Sequence, residues 1–205
     1  MSPASVGLAA ALLLQAVAPR GDAVRPAAPP GLSWEDSDVL AQTVARIEKR
    51  LRAGKPASRQ PVVLTEKQLN SYVNLGLAAK IPPALSRLEL RLERDRLGAQ
   101  GLLDLDRVKS KMPQGAGLLA FLSGAVPVEL RGRLSSDEGR GRIEIEEALV
   151  SGISLPPSVL AQIVAQSTRS AKRPQGFDLL APFPLPYGAR RLRLEPGRAV
   201  VEFFQ

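Results

Sequence analysis

Two pairs of carboxylates come closest, in residue type and spacing, to a catalytic or metal-binding arrangement. Asp104 and Asp106 are two positions apart, and so are Glu144 and Glu146. Both pairs lie in stretches with a period of two, so the members of each pair share one face of a strand. A glycosidase needs two carboxylates facing each other across a cleft, and a cation site needs further oxygen ligands. The pattern instead favours carboxylates on a solvated sheet surface.

The composition narrows the chemistry further, because the chain contains no His and no Cys. Catalysis by Ser-His-Asp or Cys-His groups is therefore excluded, as are zinc sites built on thiolates. Carboxylate, Lys or Tyr chemistry would be all that remained for an enzyme. We expect a protein that is not an enzyme and that has no cofactor and no bound metal.

Six stretches of the chain alternate between apolar and charged residues, which is typical of half-buried strands. The pattern is clearest at Leu88-Glu89-Leu90-Arg91-Leu92, and it recurs over 97–106, 126–134 and 142–146. Two further strands, over 190–195 and 198–204, flank a Glu195-Pro196-Gly197 turn. Consecutive strands joined by short turns predict antiparallel pairing and the α+β class.

Three segments have the spacing of amphipathic helices. The first covers residues 33–54, with Ser33 as its N-cap and an apolar stripe of Leu40, Val44, Ile47 and Leu51. The second runs from Glu66 to about Ala79 behind Thr65, and the third runs from Pro157 to Arg169. The predicted fold is a curved antiparallel sheet of about six strands wrapped around this long helix in the C-terminal half, with two N-terminal helices.

The covering of such a sheet raises a geometrical question. A helix is about 10 Å wide and strands lie about 4.8 Å apart, so one helix shields only a few strands. Either the sheet curls around the helix, or the other helices help, or apolar surface is left lining a groove. A groove would suit an acyl chain. A fully packed core is the alternative.

The amino terminus has the features of an exported protein. An apolar run from Val6 to Val17, followed by Ala18, predicts a signal peptide over residues 1–23. A short buried or frayed helix is the alternative interpretation. Residues 24–32, with Pro26, Pro29 and Pro30, predict a flexible tether before the helix at 33–54 and the main domain at 62–205. We therefore expect a periplasmic location, or another location in the cell envelope.

The net charge of +8 and the pI of about 10.4 admit nucleic acid, an anionic membrane surface or no particular partner. Arg and Glu alternate along the same strands, which indicates ion pairs between strands. Aromatic residues interleaved with basic ones, which base stacking requires, are missing from most of the strands. We expect no nucleic-acid partner, whereas Lys172-Arg173 and Arg190-Arg191 are candidates for contacting anionic lipid head groups.

Three short motifs resemble a family of bacterial lipid-binding proteins. They are Leu64-Thr65-Glu66-Lys67-Gln68-Leu69-Asn70, the run from Gly152 to Leu160, and Leu185-Pro186-Tyr187-Gly188. Together they resemble motifs of the LmeA-like and related tubular (TULIP-like) envelope proteins, over about residues 62–205. The resemblance implies an exported, non-enzymatic domain whose sheet wraps a long helix and leaves an apolar groove for lipid.

No ligand residue can be carried over from the resembling family, because apolar groove positions have no fixed motif. The alternating and helical patterns suggest which residues would form the groove. Its predicted walls are Leu90, Leu92, Val128, Leu130, Ile143, Ile145, Leu160, Ile163, Val164, Leu192 and Leu194, with Phe183 and Tyr187 near a mouth. The predicted partners are a lipid or an anionic membrane surface, and an envelope protein is a further candidate. The alternative function is a structural or interaction domain with a fully packed core, binding its partner through Leu40, Val44 and Ile47.

Overall fold

The computed structural model describes residues 25–81, 83–109, 123–167, 169 and 174–205. The predicted signal peptide over 1–23 and the Lys172-Arg173 pair lie outside these residues. Helix α1, Trp34–Arg52, begins where Ser33 accepts a hydrogen bond from the backbone N–H of Asp36. This N-cap, two acidic residues in the first turn and three basic residues in the last turn all suit the helix dipole.

The apolar face of α1 packs against the next helical segment. This segment consists of helix α2, Glu66–Ser71, and a π-helical turn, Tyr72–Gly76. Thr65 and Gln68 form a capping box at the start of α2. Leu40, Val44 and Ile47 are buried in the main core. Burial raises the pKa of Tyr72 to about 12, with a smaller contribution from the nearby carboxylate of Glu48.

The larger sheet contains strands β2 to β7, and all its pairings are antiparallel, as predicted. Its order is β2-β3-β4-β5-β6, with β7 also pairing with β5. Two short helices, α3 and α4, follow β3 and β6. The bounds of these elements are Leu85–Glu93 for β2, Arg96–Asp104 for β3, Leu105–Lys109 for α3, Ala125–Asp137 for β4, Arg140–Val150 for β5, Ile153–Ser154 for β6, Pro157–Ser167 for α4 and Phe183–Pro184 for β7.

A second sheet has three strands in the order β1-β9-β8, namely Val62–Thr65, Arg198–Phe203 and Ala189–Glu195. The Ser136 hydroxyl of β4 connects the two sheets. It donates to the carbonyl of Leu192 and accepts from the N–H of Leu192, both at 2.7 Å. Next to it, Arg191 pairs with Asp137 at 2.7 Å. The hydrogen bond from Arg191 lowers the pKa of the Asp137 carboxyl.

Ser136→Ala is expected to lower the free energy of unfolding by about 1–3 kcal/mol, because both backbone groups of Leu192 lose their partner. Urea denaturation measures this difference. Ser135→Ala, one residue away on the exposed face of β4, is the matched control and should stay within about 0.5 kcal/mol of the parent chain. Equal stability of the two variants would contradict a connecting role for Ser136.

The predicted sheet wrapped around a long C-terminal-half helix is wrong. Helix α4 has only 11 residues, and the last two strands belong to the separate three-stranded sheet. The described part of the chain is a mostly antiparallel β protein with four short α-helices. The last strands do not extend the larger sheet at β2, because other groups already occupy the outer edge of that strand.

Three polar side chains occupy this outer edge. Asn70 donates to the carbonyl of Leu90 at 2.9 Å and accepts from its N–H at 2.7 Å. Asn74 binds both backbone groups of Leu88 in the same way, and Glu66 accepts from the N–H of Leu92. Glu66, Asn70 and Asn74 are spaced four residues apart, so they lie on one helical face. We call these three residues the edge ladder.

Candidate functional site

An apolar cavity of about 200 Å³ lies between the inner face of the larger sheet and helix α4. Alternate residues of β2, β3, β4 and β5 form its wall, since side chains on a strand point to opposite faces in turn. Leu160 and Val164 from α4 line the other side, together with Val73 and Leu179. The lining side chains that point inward are aliphatic, whereas Gln100 and Glu129 border the cavity from outward-facing positions of their strands.

Small residues at the centre of the sheet leave this space open. Ala99 pairs with Leu90 and with Leu130, and Leu130 pairs with Ala148, so two alanines alternate with two leucines across four strands. Gly101 follows on the same face of β3. A Cβ at Gly101 would lie 3.1 Å from both a Leu88 methyl group and the Ser86 carbonyl. Larger side chains at these central positions would fill the cavity.

The cavity is elongated along the strands. Val128 and Leu134 both line it and are six positions apart on β4, which corresponds to roughly 20 Å at about 3.3 Å per residue. Across the sheet the lining extends from β2 to β5, and three strand spacings of about 4.8 Å give roughly 14 Å. The lining residues therefore extend further along the strands than across them.

Burial differs between the two ends of the cavity and within one of them. At the far end, Leu134 and Ile143 are buried in the main core. At the near end, Val150 on the β5 side is buried in a second core cluster, whereas Leu85 and Leu88 on the β2 side are only half-buried. Solvent therefore reaches the cavity at the β2 corner of the near end. We call this corner the mouth.

The structure brings seven of the predicted wall residues together around the cavity: Leu90, Val128, Leu130, Ile143, Ile145, Leu160 and Val164. Leu92 and Leu194 are buried in the main core, and Leu192 packs against that core. None of these three is among the residues that line the cavity. The side chain of Ile163 lies outside the described part of the structure.

The two aromatic residues predicted near a mouth lie elsewhere. Phe183 is buried, with its ring edge-on to that of Phe177 at a centroid distance of 5.9 Å. Tyr187 donates a hydrogen bond to the Glu48 carboxylate of α1. Phe183 belongs to the main core, and Tyr187 packs against it. Neither is among the residues that line the cavity.

Several lining residues were not in the predicted set. Leu88, Leu103 and Leu134 lie at the alternate, apolar positions of their strands, so the alternating pattern could have identified them. Val73 and Leu179 carry no such local signal. They come from the π-helical turn and from the segment after α4, which reach the cavity only through tertiary packing.

The carboxylate pairs do not form a reactive centre. Asp104 accepts hydrogen bonds from Arg107, and Asp106 accepts from the N–H of Gly124. Glu146 pairs with Arg96 of β3 and Arg133 of β4 on the outer face of the sheet. Within the described ranges, no group of three or more acidic residues is placed to hold a metal ion.

The basic pair Arg190-Arg191 is also engaged. Arg191 pairs with Asp137, and Arg190 lies 3.9 Å from the Glu138 carboxylate. These ion pairs oppose the use of the two guanidinium groups as free anchors for anionic lipid. Surface pairs of this kind contribute little to stability because water screens them.

Fold and site together define a β-rich domain with an apolar cavity between the larger sheet and α4. No protein-family model matches the sequence, and no curated protein or solved structure proved similar to it. Among the residues that the structure describes, no helix combines the length and apolar character needed to cross a membrane.

Proposed function

We propose that this domain binds the acyl chain of a lipid, without catalysis, in the cavity between the larger sheet and α4. The observation that carries the proposal is the almost entirely aliphatic lining of an enclosed space. An apolar cavity of about 150 Å³ accepts benzene, so a cavity of about 200 Å³ is large enough for an organic ligand. At the ratio of that benchmark, six carbons in about 150 Å³, the enclosed space holds about eight carbons of an acyl chain, and the rest of a longer chain would extend through the mouth.

The enclosed volume limits the affinity that the cavity alone can supply. Eight enclosed methylenes at about 0.8 kcal/mol each give a gross gain of about 6 kcal/mol. Lost translational and rotational freedom costs at least about 4–5 kcal/mol of this gain. The enclosed part of the chain therefore leaves at most about 2 kcal/mol. Contacts at the mouth must supply the remaining affinity of a stable complex.

The proposed place of action is the periplasm or another part of the cell envelope. The apolar run from Val6 to Val17 and the resemblance to TULIP-like proteins support this location. The interaction-domain alternative relied on Leu40, Val44 and Ile47 as a binding stripe. These three side chains are buried against α2 and the π-helical turn, so they are not free to bind a partner.

Native mass spectrometry of the purified domain tests the proposal. The protein is prepared without detergent, and its spectrum is compared before and after extraction with organic solvent. We expect extractable adducts with lipid masses, and saturable rebinding of oleate by the extracted protein. The absence of both the adducts and the saturable binding of oleate would overturn the proposal.

A further inference from the structure

We propose that Arg87 binds the anionic head group of the ligand at the mouth of the cavity. The ligand would be a single-chain amphiphile ending in a carboxylate or a phosphate. This inference rests on the proposed acyl-chain binding and adds a recognised head group to it. Arg87 directly precedes Leu88, whose side chain lines the half-buried corner of the cavity.

A β-bulge sets the backbone of Arg87, which directly precedes Leu88 at the mouth. The pairing of β2 with β3 shifts between Ser86 and Glu89, so Arg87 and Leu88 together oppose the single residue Gly101. Arg87 has a φ of +51°, which a non-glycine residue adopts at a steric cost. Bulges commonly redirect a side chain next to a binding site.

Two neighbouring residues hold this bulge in place. Asn74 of the edge ladder binds both the N–H and the carbonyl of Leu88, at 3.1 and 2.6 Å. Gly101 provides the space opposite, where a Cβ would press on the Ser86 carbonyl at 3.1 Å. The unfavourable backbone of Arg87 is therefore imposed by its surroundings, and it does not belong to a loose turn.

The charge of Arg87 is available for a ligand. The side chain is exposed, and among the described residues it forms no ion pair. In contrast, Arg91 on the same strand pairs with Glu89 at 3.1 Å, and Arg107 near the mouth pairs with Asp104 at 3.1 Å. Gln100 and Glu129 also border the cavity, but they occupy outward-facing positions of their strands.

The cavity itself excludes a charged head group. Transfer of an unpaired carboxylate or phosphate into an aliphatic interior is strongly unfavourable. The alkyl chain would therefore occupy the space between sheet and helix, and the head group would stay at the mouth. A guanidinium there offers charge-assisted hydrogen bonds to either kind of anion.

Binding of three oleoyl ligands tests this assignment: oleate, oleoyl lysophosphatidic acid and the uncharged monoolein. Calorimetric titration of the extracted protein is expected to give a dissociation constant about tenfold lower for at least one anion than for monoolein. The more tightly bound anion identifies the source of the charge. Arg87→Gln should remove this preference, and Arg87→Lys should restore part of it. Arg142→Gln, on the outer face of β5, is the control and should leave all three constants unchanged.

Three outcomes would overturn the inference. Equal affinity of the parent chain for all three ligands, or an anion preference that persists in Arg87→Gln, would refute the role of Arg87 and leave acyl-chain binding intact. Failure of all three ligands to bind would refute both proposals. Circular dichroism of Arg87→Gln establishes that a lost preference comes from the side chain and not from unfolding.

Discussion

Ala99→Phe is expected to weaken binding of a long-chain lipid by roughly a hundredfold. Ala99 lies between Leu90 and Leu130 in the middle of the sheet, and it lines the cavity. A phenyl ring placed there would exclude roughly four methylenes of the ligand, a loss of about 3 kcal/mol. Because a cavity of about 150 Å³ accepts benzene, the ring should fit without disrupting the fold.

Calorimetric titration with oleate measures this loss, and thermal denaturation monitors the fold. Ala125→Phe is the matched control, since Ala125 is exposed and belongs to the outward-facing register of β4. The control should bind oleate like the parent chain. Unchanged binding by Ala99→Phe, with its melting temperature preserved, would show that the ligand binds somewhere other than this cavity.

Asn70→Ala is expected to lower the free energy of unfolding by about 2–4 kcal/mol. The substitution removes the two hydrogen bonds that the edge ladder makes to Leu90 and leaves an N–H and a carbonyl of β2 without partners. An exposed strand edge also promotes pairing with other chains. We therefore expect the variant to aggregate more readily on heating.

Urea denaturation followed by circular dichroism measures this loss. Asn70→Asp keeps the acceptor for the Leu90 N–H but loses the donor, and it should fall between the parent chain and Asn70→Ala. Lys67→Ala, on the same helix, removes only an exposed ion pair to Asp36 and should change stability by less than about 1 kcal/mol. Equal stability of Asn70→Ala and Lys67→Ala would refute the proposed role of the edge ladder.

The local elements were largely predictable because each depends on residues close together in the chain. The N-cap at Ser33 and the stripe through Leu40, Val44 and Ile47 specify helix α1, which is observed as Trp34–Arg52. The alternation in β2, β4 and β5 likewise predicts strands with one apolar face. The same alternation placed Leu90, Leu130 and Ile143 on the inner face of the sheet.

The assembly of these elements was not predictable in the same way. The short run at Val62-Val63-Leu64 pairs with β9, which separates the last two strands from the larger sheet. The side chains of Asn70 and Asn74 look like ordinary polar residues on a helix, yet they bind the backbone of β2 from twenty and fourteen positions away. The hydrogen-bond partners of these side chains depend on which elements lie close together in three dimensions. The local periodicity of the sequence does not show this.

The sequence by itself therefore determined which kinds of side chain are present and on which strand face they lie. The tertiary structure determined whether a cavity forms between sheet and helix. The lack of His and Cys, and the aliphatic residues at alternate positions of each strand, can be seen from the residue types alone. Whether the space between sheet and helix is filled depends on which side chains face one another across strands. Ala99 and Ala148 face leucines in one row of the register, and that long-range pairing leaves a cavity where the local patterns allowed equally for a packed core.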